Sequence, residues 1–338
     1  MATAGDSIRK LIQSHIKGDE EAFRSAAHEL IADERRKNHK MFALELEKLL
    51  GSGTLRALSE PLNLGHLYNG SLPKDKERGL PLVEIREPHR MLEDLILTDS
   101  VRSQLDRIVI EQRKADELKM HGLKPLQRLL FCGPPGCGKS VTAEAMAQAL
   151  YLPLVIVRFD AIISSYLGET AANLRKVFDF ASTYPVVLFL DEFDAVGKER
   201  SSEDEHGELK RVVTSLLQML DAMQGDSITI AASNHQGLLD SALWRRFDDI
   251  ILFDRPNLPA IKSLLKRCLA RIRKDDLDLE SWANKLKGRS HADVERVAVD
   301  ALKLAVLDGR EKLTQADVDS ANLYQRRRDA STGSSSVN

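Results

Sequence analysis

The spacing of apolar residues changes character along this chain. Near the N-terminus it is helical: Ile8, Leu11, Ile12 and Ile16, then Phe23, Ala26, Ala27, Leu30 and Ile31, then Phe42, Leu46, Leu49 and Leu50. Gly18-Asp19 separates the first two segments, and Asp19 suits a helix N-cap. A small all-helical unit is predicted over residues 1–50. Residues 51–90 turn to glycine, proline and short polar runs (Gly51-Ser52-Gly53, Leu72-Pro73-Lys74-Asp75-Lys76, Leu80-Pro81) and read as a linker. From 91 to 256, short apolar runs alternate with helical stretches. The strand candidates are Leu129–Cys132, Leu154–Phe159, Val186–Leu190, Ile228–Ala232 and Ile250–Phe253. Runs that are apolar on both faces, each separated by enough chain for a crossover helix, predict an α/β fold with a parallel sheet and helices on both faces. Beyond Pro256 only helical patterning remains. Ile261, Leu264, Leu265, Cys268 and Leu269 make one stripe, Ser290 with Asp293 spells a capping box, and Thr314 with Asp317 caps a last helix ending near Tyr324. A second small helical unit is thus expected over 257–325, followed by a basic, then serine-rich, disordered tail over 326–338.

Composition narrows the setting. A chain of 338 residues, 43% hydrophobic and 30% charged, is a soluble globular protein with room for two or three domains. A net charge of −2 supplies no global field toward nucleic acid or an anionic membrane. Cys132, Cys137 and Cys268 have neither metal-ligand spacing nor even pairing, as expected in a reducing compartment. Asp6 stands where a signal peptide would need a basic segment, and no run approaches 18 apolar residues, so a cytoplasmic protein with no membrane partner is expected.

The chemistry begins at Gly133-Pro134-Pro135-Gly136-Cys137-Gly138-Lys139-Ser140, which follows a strand candidate and opens the alanine-rich helix starting at Val141. Glycines let consecutive backbone N–H groups turn inward around phosphates at a helix N-terminus. Lysine then reaches the β- and γ-phosphates, and serine holds Mg²⁺. In this strand, loop, helix context the pattern predicts the phosphate loop of a P-loop NTPase. Some fifty residues on, Val186–Leu190 delivers Asp191 and Glu192 at its C-terminal end. Asp191 is placed to organise Mg²⁺ and Glu192 to polarise the water that attacks the γ-phosphate.

With these residues in place, the stretch 91–324 resembles the AAA family of ATPases. Ile228–Asn234 is similar to the family's sensor 1 strand, which lies between the phosphate-loop strand and the acidic strand; the resemblance implies that Asn234 contacts the γ-phosphate or the attacking water. Leu239–Asp248 is similar to the second region of homology, which makes Arg245 and Arg246 arginine fingers directed at a neighbouring subunit's nucleotide. Tyr166-Leu167-Gly168 resembles the aromatic pore loop of protein-translocating members, whose ring grips an extended polypeptide without reading its sequence. Leu92–Leu97 matches the segment whose backbone contacts adenine. Gly288–Asp293 is similar to the lid motif, with His291 where small residues are frequent. Cys137 stands where many relatives have Thr; a thiolate is favoured at a helix N-terminus, but a tolerated small residue is the simpler account. Arg289 and Arg296 are sensor 2 candidates by proximity alone.

The resemblance implies a homo-oligomer, a hexamer, that takes ATP and Mg²⁺ and remodels or threads protein substrates. A closed ring follows from arginines acting in trans. No His-Glu-x-x-His zinc motif occurs in the chain, so any protease is a separate chain, and the layout also looks like bacterial AAA proteins associated with a separately encoded subtilisin-like protease. The rivals are a clamp-loader or helicase-loader ATPase, which the acidic balance and the Tyr166 loop disfavour, and a nucleotide-gated scaffold.

Overall fold

The computed structural model describes residues 4–17, 19–37, 39, 42–43, 46, 50, 72–76, 78–162, 169–193, 206–234, 244–270 and 277–331. These fall into two units. The first contains the chain up to Leu92 with Ser100–Phe131 and Ser140–Ile251; the second contains Glu93–Asp99, Cys132–Lys139 and the chain from Leu252 onward.

The first unit opens with helices α1 (Ala4–Lys17) and α2 (Glu20–Arg36), which pack together. Asp19 caps α2 by accepting a hydrogen bond from Ala22 N at 3.0 Å. Ala26, Ala27 and Ile31 are buried, but Ile8, Ile12 and Ile16 are 48%, 56% and 77% exposed. Their periodicity identifies a helix correctly. Three of the four apolar positions it marks on α1 are nevertheless exposed.

Next come β1 (Val83–Arg86), α3 (Asp99–Arg113), α4 (Ala115–Met120), β2 (Arg128–Cys132), α5 (Lys139–Ala149), β3 (Leu154–Val157), α6 (Phe159–Ile162), α7 (Glu169–Thr183), β4 (Val187–Leu190), α8 (His206–Ala222), β5 (Ile228–Ser233) and β6 (Asp249–Leu252). The sheet order is β1-β3-β4-β5-β2-β6. All five strand candidates are strands, and β3, β4 and β5 pair in parallel. Every residue of β4 and β5 is buried, as a central parallel strand flanked by helices requires. The sheet is mixed rather than wholly parallel. Val83–Arg86, inside the stretch expected to be linker, runs antiparallel to β3, with Val83 opposite Val157 and Arg86 opposite Leu154. Strand order also settles one expectation directly: β5 lies between the acidic strand β4 and the phosphate-loop strand β2.

In the second unit, helices α9 (Leu258–Cys268), α10 (Leu279–Lys285), α11 (His291–Leu307) and α12 (Gln315–Ser331) enclose a core of Ile261, Leu265, Trp282, Val297, Ala301 and Val318. Local caps fix their starts. Asn257 accepts from Ala260 N, Asp278 accepts from Glu280 N and Ser281 N, and Ser290 with Asp293 forms the full capping box. Asp317 accepts from both the backbone N–H and the hydroxyl of Thr314 and pairs with Arg310; these bonds hold its carboxyl far below the usual range, with the Arg310 bonds the largest cause. The last helix does not stop near Tyr324. It continues to Ser331, so the first residues of the expected disordered tail are helical.

Candidate active site

The phosphate loop is shaped by packing. Strand β2 is buried almost throughout and ends at Cys132, where Phe253 N donates to Cys132 O at 2.7 Å. Gly133 follows with φ 151°, and a Cβ there would sit 2.0 Å from Phe253 O, so no other residue fits without moving backbone. Gly136 has φ 72°, and a Cβ would lie 2.7 Å from Ser290 Oγ, while its own carbonyl accepts from Ala292 N at 3.0 Å. The loop is thereby seated on the start of α11. Lys139 is buried, and its ammonium donates to Gly133 O at 2.7 Å and Pro134 O at 3.0 Å, which holds it against the loop.

Two further residues of this unit bear on the loop. Burial pushes the Cys137 thiol up, against the pull of Lys139 and Arg255, so the thiol is protonated and the account of it as a tolerated small residue fits. His291 is held below the ordinary histidine range, chiefly by burial, and hydrogen-bonds the backbone of Ile96. Its Nδ1 is buried without a partner, which makes Nε2 the bonding atom and the ring neutral. His291 thus ties Ile96, next to the short 3₁₀ turn Leu92–Asp94, to the start of α11.

In the first unit, α5 carries Ser140 and Val141 just after Lys139, and β4 delivers Asp191 to the carboxyl edge of the sheet. Ser140 Oγ donates to Asp191 Oδ2 at 3.1 Å, and Asp191 Oδ1 accepts from Glu192 N at 2.9 Å. Glu192 is exposed and has φ 51°, a left-handed conformation that a side chain normally avoids. Phe193 N donates to Ala232 O at 2.8 Å, so the turn is pinned to β5. Asn234 comes directly after β5 and is half-buried beside this edge. The Ser140 hydroxyl and the Asp191 carboxylate, 3.1 Å apart, are hard oxygen donors of the kind that Mg²⁺ takes.

Arg245 and Arg246 are both exposed, and Arg246 pairs with Asp221 at the end of α8. Asp221 also meets Arg128 at 3.3 Å, and Arg128 grips Asp248 through Nε at 3.1 Å and Nη2 at 2.6 Å. Burial raises the Asp248 carboxyl, but the Arg128 bonds and two backbone N–H groups outweigh it and hold it below its usual range. Phe247 meets Phe193 edge-on at 6.0 Å, so the residue after Arg246 packs on the residue after Glu192. Among the described residues, no ion pair joins Arg245 or Arg246 to Asp191 or Glu192. The sequence reading missed Asp221 and Arg128 altogether; an acid at the end of an amphipathic helix carries no signal of a partner 25 residues away. Tyr166, Leu167, Gly168 and residues 239–243 lie outside the described residues.

A glycine-rich loop between a buried strand and a helix, two acids directly after the parallel strand β4, and a trailing helical unit are the parts of a P-loop-like α/β protein. Residues 129–255 match the ATPase family associated with various cellular activities (AAA). The chain is 41% identical over 326 residues, 96% of either chain, to the uncharacterized AAA family ATPase y4kL of Sinorhizobium fredii. It is 33% identical over 229 residues to the proteasome-activating nucleotidase of Thermococcus onnurineus and 31% identical over 237 residues to the ATP-dependent zinc metalloprotease FtsH of Halothermothrix orenii. Those matches cover 63% and 68% of this chain but only 57% and 38% of the two relatives. The chain belongs to the AAA family of ATPases. Among its described residues no helix is long and apolar enough to cross a membrane.

Proposed function

We propose that the protein is a Mg²⁺-dependent ATPase that works as a homo-oligomeric ring, a hexamer, and couples ATP hydrolysis to remodelling or threading of protein substrates in the cytoplasm. The observation that carries the chemistry is the Ser140–Asp191 hydrogen bond at 3.1 Å with Glu192 held beside it in a left-handed turn. Backbone N–H groups of Gly133–Ser140 cradle the phosphates, with Pro134, Pro135 and Cys137 shaping the loop and Val141 continuing it into α5. Lys139 supplies the cation for the β- and γ-phosphates. Ser140 and Asp191 would hold Mg²⁺, whose chemistry is to neutralise charge between those phosphates. Glu192 takes the proton of the attacking water, Asn234 orients that water, and Arg245 and Arg246 act on the neighbouring subunit's nucleotide.

The relatives support the mechanical half of the reading, since one is named for activating a proteasome and another as an ATP-dependent protease. On this reading Tyr166, Leu167 and Gly168 grip the polypeptide, residues 1–50 choose the substrate or adaptor, and any protease is a separate chain. The test separates binding from turnover. Lys139→Ala should weaken ATP binding, whereas Glu192→Gln should preserve binding and abolish hydrolysis. Equal loss of affinity in both variants would contradict the roles assigned.

A further inference from the structure

The residue that ends the phosphate-loop helix is a surprising choice. Helix α5 closes with Leu152 N donating to Ala147 O at 3.0 Å and Tyr151 N donating to Gln148 O at 3.1 Å, a termination that places Tyr151 at φ 55°. Glycine is the usual residue at such a position, because any side chain is strained there by about 1 kcal/mol or more. Tyr151 is not held for core burial either, since it is 42% exposed. What the ring does is receive the N-terminal unit: His39 meets it at 4.2 Å between centroids and Phe42 stacks on it at 5.5 Å.

The other half of this contact is equally fixed. His39 is only 7% exposed, and its Nδ1 lies 2.6 Å from Glu34 Oε2, on the last turns of α2. Burial works against the Glu34 carboxylate, but its bonds with His39 and Lys37 prevail and keep it below its usual range, so it is ionised and His39 Nδ1 is the donor. Ala43 N donates to His39 O at 3.0 Å and Ala43 is buried, which anchors the stretch on its other side. The same helix end has a second holder, Arg113 of α3, whose guanidinium donates to Ala149 O at 3.1 Å.

We propose that Glu34, His39, Phe42 and Tyr151 form a latch by which the N-terminal helices sense nucleotide at the phosphate loop. The inference rests on the proposed ATP binding at the N-terminal end of α5. That helix has 11 residues, so its ends are about 16 Å apart, and a rigid rod of that length carries a shift at the phosphates to the Tyr151 ring. The strain at Tyr151 follows from this task. Glycine would relax the backbone but sever the link, so the ring is retained at the expense of local stability.

The experiment is hydrogen exchange across residues 20–43 of the full chain, with and without a non-hydrolysed ATP analogue plus Mg²⁺, alongside direct binding of the same analogue. The parent should show exchange in this segment altered about two-fold or more by the analogue. Tyr151→Gly should abolish that response while binding the analogue within about two-fold of the parent, since glycine suits the backbone that ends α5. Tyr151→Phe should keep the response. If the parent binds the analogue yet residues 20–43 do not respond, or if Tyr151→Gly responds like the parent, the latch is refuted. If the parent binds no analogue, the ATPase reading fails and the latch falls with it.

Discussion

Replacing Glu192 by glycine should make the protein more stable and inactive at once. At φ 51° the residue carries about 1–2 kcal/mol of left-handed strain, which glycine does not incur. Glycine also loosens the unfolded chain, which returns about 0.4–1 kcal/mol of that gain. The side chain is exposed, and the bond from its N–H to Asp191 Oδ1 belongs to the backbone, so the substitution removes no buried contact. The net expectation is about 0.5–1 kcal/mol of added stability, or roughly 1–3 °C in Tm for a domain of this size. Glu192→Gln is the control, because it also removes the carboxylate but keeps the strained conformation and should melt like the parent. Calorimetry of nucleotide-free protein reads the first effect, and phosphate release under saturating ATP reads the second. If Glu192→Gly melts at or below Glu192→Gln, the turn is not strained and the reasoning that links its conformation to water activation is wrong.

Three other expectations concern separate parts of the molecule. Mixing Arg246→Ala chains with Glu192→Gln chains should restore hydrolysis above either parent variant, because some interfaces then combine an intact arginine with an intact carboxylate; mixed assemblies, verified by native mass spectrometry, that stay as inactive as both parents would argue for arginines acting within one subunit. Tyr166→Ala should abolish unfolding of a fluorescent protein substrate and Tyr166→Phe should retain most of it, since the ring contributes about 1 kcal/mol or more per grip; equal unfolding by Ala and parent would end the threading account. His291 titrates below the ordinary histidine value, so the folded state binds fewer protons than the unfolded state just under pH 6.5, and stability falls as pH drops through that window. His291→Gln should flatten the Tm profile between about pH 7 and 5, and an unchanged slope there would remove His291 as its source.

What could be read in advance follows from how local each signal is. The five predicted strands, the phosphate loop and the caps at Asp19, Ser290 and Thr314 are written in contiguous residues, so composition and spacing suffice. Strand β1 was hidden because four residues, Val-Glu-Ile-Arg, flanked by proline-rich turns gain their pairing from β3 some seventy positions away. The extension of α12 was hidden for a related reason: Gln325 is buried and its amide bonds Asp300 on α11, a contact no periodicity announces. The exposed Ile8, Ile12 and Ile16 mark a third limit. Periodicity shows that a helix has an apolar side, and only its neighbours determine whether that side is covered. In the site, residue identities suggested roles for Ser140 and Asp191, but the left-handed turn at Glu192 and the Asp221 link between Arg246 and Arg128 exist only in three dimensions.

A thiol inside a nucleotide loop would ordinarily make an enzyme a gauge of oxidant, because a thiolate there is converted to sulfenic acid and the loop is blocked. Cys137 is buried and kept protonated, and Cys132 behind it is fully enclosed. Peroxide that inactivates exposed, acidic cysteines elsewhere therefore leaves this loop chemically silent. Incubation with peroxide, followed by mass analysis of the loop peptide, should find Cys137 unmodified under conditions that oxidise an exposed thiol.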